Sequence, residues 1–204
     1  AIRNVNSSPA ISNNKIAGVG SGVGSVYGIF NTNSNPAIIN NEIIGSINAA
    51  TGILNTGSSP LILNNIIYGG GAGSAYTIEL TGTSHPTIKN NILFNAAGGR
   101  CITEAGGNDD PVAVQNNNLF GCTTPYYDFD SGCGGGTNCS LAQLNLLSGA
   151  SGNITIDNTG NQLFLNLNGP DASIVAMADN DWHFTTNAAI CNVRGGGQNL
   201  SATF

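Results

Sequence analysis

Apolar positions in this chain come in short runs of three to five residues, rich in isoleucine, and each run is closed by Gly, Asn, Ser or Pro. No stretch up to residue 130 carries the ten or more residues of period-3.6 patterning that a helix requires, so the runs predict strands. The runs also repeat. Pro9-Ala-Ile-Ser-Asn-Asn-Lys-Ile16, Pro36-Ala-Ile-Ile-Asn-Asn-Glu-Ile43, Pro60-Leu-Ile-Leu-Asn-Asn-Ile-Ile67 and Pro86-Thr-Ile-Lys-Asn-Asn-Ile-Leu93 are near copies, and the version opening at Pro111 holds one extra residue before its Asn pair. Proline recurs at steps of 27, 24, 26 and 25 residues, and Ile2, Ile29, Ile53, Ile78 and Ile102 at steps of 27, 24, 25 and 24. From each Ile to the next Pro the distance is 7, 7, 7, 8 and 9 residues, so one turn has a nearly fixed length that grows along the chain.

A unit of about 25 residues made of short strands cannot bury its own apolar face and must stack on its neighbours. The leucine lattice of leucine-rich repeats is absent, and the Gly and β-branched content excludes helical repeats. The prediction is an all-β fold, a parallel β-solenoid in which each Ile lies over the Ile of the adjacent coil at the ~4.8 Å strand spacing. Ile38, Ile62 and Ile88 should form a second inward column. The first Asn of each pair (Asn13, Asn40, Asn64, Asn90) falls two residues after an inward position and is placed inward too, as an amide ladder that satisfies turn carbonyls. Regular coils are expected over 1–130, with 131–204 supplying irregular last coils and a cap of the same solenoid. In that second part Leu141, Leu144 and Leu147 predict a helical turn, while Ile154–Ile156 and Leu163–Leu167 read as strands. Ala1 begins in mid-coil with nothing to cover the first strands. The expectation is either more solenoid ahead of it or end-to-end self-association through this uncapped coil.

Composition narrows the function classes. Only 8% of the 204 residues are charged, against about 25% in ordinary soluble domains. Five Lys and Arg with a net charge of −6 leave no basic surface for nucleic acid. No apolar run approaches the ~18 residues of a membrane helix. Gly (29) and Asn (31) fill 60 positions, as turn-rich stacking demands. Of five cysteines, Cys133 and Cys139 bracket a flexible Gly-Gly-Gly-Thr-Asn stretch and are the candidates for a small disulfide ring. The odd count leaves at least one thiol free or paired between chains. With no CxxC pair and both histidines distant, no metal site is expected. Low charge, many Asn and clustered cysteines suit an extracellular or cell-surface protein.

The repeated Ser-x-Pro-x-Ile-x-Asn-Asn-x-Ile unit resembles the right-handed parallel β-helix repeat of the pectate-lyase-like superfamily over residues 1 to about 130. The stretch from Asp181 to Gly197 is similar to the closing segment of bacterial members. That resemblance implies a right-handed single-stranded helix but no one activity, because such helices serve as lyases, hydrolases, epimerases, spikes and adhesins. Its lyases use a calcium site with an Arg or Lys base, and its hydrolases two or three Asp on neighbouring strands. Calcium is therefore the one cofactor to consider. Glu42 is the only carboxylate before residue 76; acids then gather at Glu79, Glu104, Asp109, Asp110, Asp128 and Asp130, with Arg100 and His85 nearby. If Phe129 lies under Ile102, then Glu79, Thr103 and Asp130 share an outward column and the two acids stand roughly 10 Å apart, just beyond the ~6.5–9.5 Å of inverting glycosidases. Glu79, Arg100, Glu104, Asp128 and Asp130 are accordingly the catalytic candidates of a polysaccharide lyase or glycoside hydrolase. Tyr126 and Tyr127 are binding candidates for sugar stacking, although adjacent strand residues face opposite sides and one of them belongs in the core. Asp179-Asn-Asp181 reads as a turn or a calcium ligand pair, and His183 as a packed residue of the last coil. Thr32-Asn-Ser34, Thr56-Gly-Ser58 and Thr81-Gly-Thr83 form a short outward array of the ice-binding kind. The leading expectation is a structural or adhesive β-helix that contacts polysaccharide or host-surface glycan and lacks a catalytic cluster.

Overall fold

The computed structural model of the chain describes residues 1–18, 26–46, 50–70, 75–95, 99–156, 164–166 and 181–184. Five successive coils each hold three strands. The first is β1 (Ile2–Val5), β2 (Ala10–Ser12) and β3 (Lys15–Ala17); the second is β4 (Val26–Thr32), β5 (Ala37–Ile39) and β6 (Glu42–Ser46). The third is β7 (Ala50–Thr56), β8 (Leu61–Leu63) and β9 (Ile66–Gly70); the fourth is β10 (Tyr76–Thr81), β11 (Thr87–Lys89) and β12 (Ile92–Phe94). The fifth is β13 (Arg100–Glu104), β14 (Ala113–Gln115) and β15 (Asn118–Phe120). Every coil gives one strand to each of three parallel sheets: β1-β4-β7-β10-β13, β2-β5-β8-β11-β14 and β3-β6-β9-β12-β15. This is the all-β parallel solenoid with about 25 residues per coil that the repeat predicts.

The core is a set of stacked columns. Ile2, Ile29, Ile53, Ile78 and Ile102 are register partners down the first sheet. Ile11, Ile38, Ile62, Ile88 and Val114 are partners down the second, and from Ile38 to Ile88 they are wholly buried. Each buried isoleucine side chain is worth about 1.5–3 kcal/mol relative to exposure, and repetition multiplies that gain with every coil. On the outer side of the third sheet Tyr68, Phe94 and Phe120 stack, and the Phe164 ring lies 6.0 Å from that of Phe94.

The corners are held by two ladders. At the turn from second to third sheet the inward amide belongs to the second Asn of each pair, not to Asn13, Asn40, Asn64 and Asn90. Those four sit in the left-handed region, with φ of 59°, 56°, 58° and 57°, where they make the bend itself. The bend turns the next residue inward, so Asn14, Asn41, Asn65, Asn91, Asn117 and Asn153 form the ladder. Each member's backbone N–H donates to the Oδ1 of the next at 2.9–3.1 Å. At the turn from first to second sheet, Ser7, Ser34 and Ser58 donate their backbone N–H to the hydroxyls of Ser34, Ser58 and Ser84, and Ser84 N–H ends on Asp109 Oδ1 at 3.0 Å.

Beyond the fifth coil the pattern becomes irregular. β16 (Thr124–Tyr127) extends the first sheet, and β17 (Asn138–Cys139) pairs with it antiparallel. The predicted helical turn is α1 (Leu141–Leu144), capped by Ser140 and Gln143 and burying Leu144. β18 (Ala150–Ser151) adds to the second sheet. Ile154 makes an isolated bridge to Asn118 rather than a strand, and β19 (Phe164–Asn166) pairs with β20 (Asp181–Phe184). Disulfides join Cys133 to Cys139, as the spacing suggests, and Cys101 to Cys122, with Cα atoms 5.3 and 5.6 Å apart. Cys191 lies outside the described residues. Among those described, no helix is long and apolar enough to cross a membrane.

Candidate functional site

First-sheet side chains divide between core and outside, and the alternation breaks once per strand: the positions of Gly28, Gly52 and Cys101 face the core as the Ile directly after each does, so the residues before them point out. The outward set includes the register row Arg3, Phe30, Leu54, Glu79, Thr103 and Tyr127 and the neighbouring row Tyr27, Thr51, Tyr76, Arg100 and Thr124. At the late coils the Arg100 guanidinium lies 3.8 Å from the Tyr127 ring centre and 5.9 Å from that of Tyr76. At the early coils Tyr27 and Phe30 are 5.2 Å apart, with Arg3 over Phe30 at 5.5 Å. Glu79 accepts a hydrogen bond from Thr51 at 3.2 Å, and its carboxyl is held above the usual carboxylate range by desolvation, partly offset by that bond. The Oγ1 of Thr103, between Glu79 and Tyr127, is buried and has no hydrogen-bond partner. The result is a half-buried aromatic face with a pre-oriented planar cation, a carboxyl and hydroxyls.

The inward set carries a different chemistry. The row Asn4, Asn31 and Asn55 is linked amide to amide at 2.8 Å, continues as Leu80, and ends in Glu104, which is 1% exposed. Glu104 accepts from the Tyr126 hydroxyl and, at 3.0 Å, from Phe129 N–H. Burial drives its pKa up to about 7 against the lowering effect of those two bonds, and the charges of Asp128 and Asp110 push the same way as burial. The Tyr126 phenol is raised as well, first by burial and then by Glu104.

The sequence candidates therefore divide. Tyr126, not Phe129, lies under Ile102, and Tyr127 lies under Thr103. The two extra residues after Ile102 are absorbed in the turn before Pro111, and the 24-residue step to the next strand is preserved. Asp130 thus leaves the Glu79 column and sits exposed in the turn after β16. Glu79, Arg100 and Tyr127 share the outer face; Glu104, Tyr126 and Asp128 are buried on the other side. Asp109 is taken up by the backbone N–H groups of Thr83 and Ser84, at 2.8 and 3.0 Å. The Thr-x-Ser array is not a uniform outward surface: Thr32 Oγ1 is buried and Ser34 and Ser58 are buried ladder members, while Thr83 is exposed and the ladder passes to Ser84. The described acids also do not fit calcium of the lyase kind. No three of their carboxylates converge, and the group of possible ligands that does is Asp128 with the bridged Cys133 and Cys139. Asp179 and the side chains of Asp181 and His183 lie outside the described residues.

Arg3, Tyr27, Phe30 and Tyr76 are members of the face that sequence reasoning passed over. Phe30 follows a column Ile directly and so had an outward signal, but Tyr27 and Tyr76 precede one by two residues, which alternation alone would turn inward. No family model, curated protein or solved structure matches the chain.

Proposed function

We propose that the chain is a non-catalytic, exported or cell-surface β-helix of the pectate-lyase-like kind, acting as a structural and adhesive module that contacts glycan. The observation that carries this reading is the stacking of Arg100 on Tyr127 on the outer side of the first sheet, in whose register row Glu79 stands two strands away. Aromatic rings flanked by fixed hydrogen-bonding groups suit sugar faces and hydroxyls, and stacking holds the guanidinium in one orientation. Two disulfides within one chain support an oxidising compartment. Division of the carboxylates between opposite sides of the sheet supports binding over turnover, because Glu79 and Glu104 have no common substrate position.

A polysaccharide panel scored for binding and for sugar release, with and without calcium, tests the proposal. Binding without turnover, lost in Tyr127→Ala and reduced in Arg100→Ala, is the expected result. Released sugar that Glu79→Gln abolishes would replace it with the lyase or hydrolase reading, for which the Glu79 carboxyl, raised by burial on the same outer face as Arg100, is the favouring observation.

A further inference from the structure

At the end of the first sheet, Asp128, Cys133 and Cys139 meet. One carboxylate oxygen and the two sulfurs lie within 4.8 Å of one another, and the residues are 8%, 3% and 1% exposed. The disulfide accounts for the sulfurs but not for Asp128. Among the described residues that side chain receives no hydrogen bond; Glu104 and Tyr126, the groups that interact with it, are an acid and a phenol. The residue is 8% exposed and no donor of the described residues meets its carboxylate, so its remaining partners are solvent or a cation. Its position is nonetheless specific: a Cβ at Gly132 would collide with Asp128 Oδ2, so the glycine keeps the space into which the carboxylate points.

We propose that Asp128, Cys133 and Cys139 form a redox-gated site for a thiophilic divalent cation of the zinc class. In the oxidised chain the site is closed by the disulfide. A dithiol or phosphine reductant supplies two electrons, two protons are taken up, the S–S bond breaks and two thiols form. On metal binding both thiol protons go to solvent, two sulfur–metal bonds form, and the Asp128 carboxylate is the third ligand, with the fourth position left to water. Two thiolates and one carboxylate select zinc over calcium or magnesium. Bonds of about 2.3 Å to sulfur and about 2.1 Å to oxygen place tetrahedral ligands roughly 3.7 Å apart, inside the 4.8 Å within which the three ligand atoms lie. The sulfurs must separate to reach it, and the loop between them allows this. Gly134 and Gly135 have φ of 69° and 91°, and a Cβ at Gly135 would meet nothing within 4 Å. The inference does not depend on the glycan reading of the outer face.

The test is cobalt(II) titration of the full chain carrying Cys191→Ser, reduced anaerobically with a phosphine. One equivalent of cobalt should produce a thiolate-to-cobalt charge-transfer band with tetrahedral visible bands, displaced by zinc; the oxidised chain should produce none. Asp128→Asn should weaken binding at least about tenfold, since even outer-shell partners are worth 10–100-fold. Cys133→Ser should abolish the band, and the double change Cys101→Ser, Cys122→Ser should retain it. A reduced chain without the band overturns the site, as does a band that survives Cys133→Ser or an affinity indifferent to Asp128→Asn. Circular dichroism of Asp128→Asn, which keeps the side chain's size, separates lost binding from lost fold.

Discussion

Glu104 gives the fold a pH dependence opposite in sign to that of a salt-bridged carboxylate. Its pKa is about 7 in the folded chain against an ordinary value of 4.5, so the native state holds its proton more tightly than the unfolded chain. Stability from this group is complete below the unfolded value and is lost as pH rises from about 4.5 to about 7. A shift of that size corresponds to about 3 kcal/mol. For a chain of this length that is a fall of about 6–12 °C in melting temperature between pH 4.5 and pH 8. Glu79, raised by burial, contributes in the same direction. Glu104→Gln removes the larger part of the slope. At low pH the protonated acid, like the amide, offers one acceptor and one donor to Tyr126 and Phe129, so the variant keeps nearly the native stability there. The measurement is thermal or urea unfolding of both chains at pH 4.5, 6 and 8. The expected result is a native chain that weakens across the series and a variant that stays nearly level. Parallel pH profiles would refute the reasoning, and so would a native chain that strengthens towards pH 8.

The corner assignment is tested by adjacent substitutions. Asn65→Ala strips the acceptor from Asn41 N–H and the donor from Ile38 O and should cost about 3–5 kcal/mol in chemical denaturation, whereas Asn64→Ala loses only the left-handed preference, about 1–2 kcal/mol. Equal losses at the two positions would contradict the ladder. Removing the Cys101–Cys122 bridge, which spans 21 residues, should lower stability by about 3 kcal/mol, and removing Cys133–Cys139, which spans 6, by about 2. Melting of the two double-serine variants checks that order. Phe164→Ala should destabilise by about 3–5 kcal/mol, because it empties a fully buried site against the Phe94 ring; a change under 1 kcal/mol would show that the contact is dispensable.

What was legible in the sequence was whatever the repeat imposes on a strand interior. Ile29 and Ile53 must overlay because the step of 24 residues leaves no other inward partner at that height. Alternation fails at corners: counting by twos from Ile11 lands on Asn13, but the left-handed turn there rotates the chain so that Asn14 is the inward residue. Spacing also does not show where an insertion is absorbed, which is why Phe129 and Tyr126 exchange places under Ile102. The Cys101–Cys122 bridge was within reach, since a separation of 21 residues is nearly one coil and puts the two cysteines on adjacent coils, with Cys122 just ahead of β16. The outer face was obscured because its aromatics are scattered over five coils and meet only when stacked.

Both corner ladders run the same way, and that gives the solenoid a direction. The backbone N–H of Asn65 or Ser58 is completed by a side chain of the following coil, while its own side chain completes the preceding one. A coil stripped of its predecessor keeps these amides satisfied; a coil stripped of its successor exposes two of them. Asn153, the last member of its ladder, is clamped by Asn145 through N–H, Nδ2 and carbonyl bonds of 2.9 Å each. The Asn145–Asn153 clamp closes the end of the ladder at which a lost coil would leave two amides bare, so the stack is polar in its bonding.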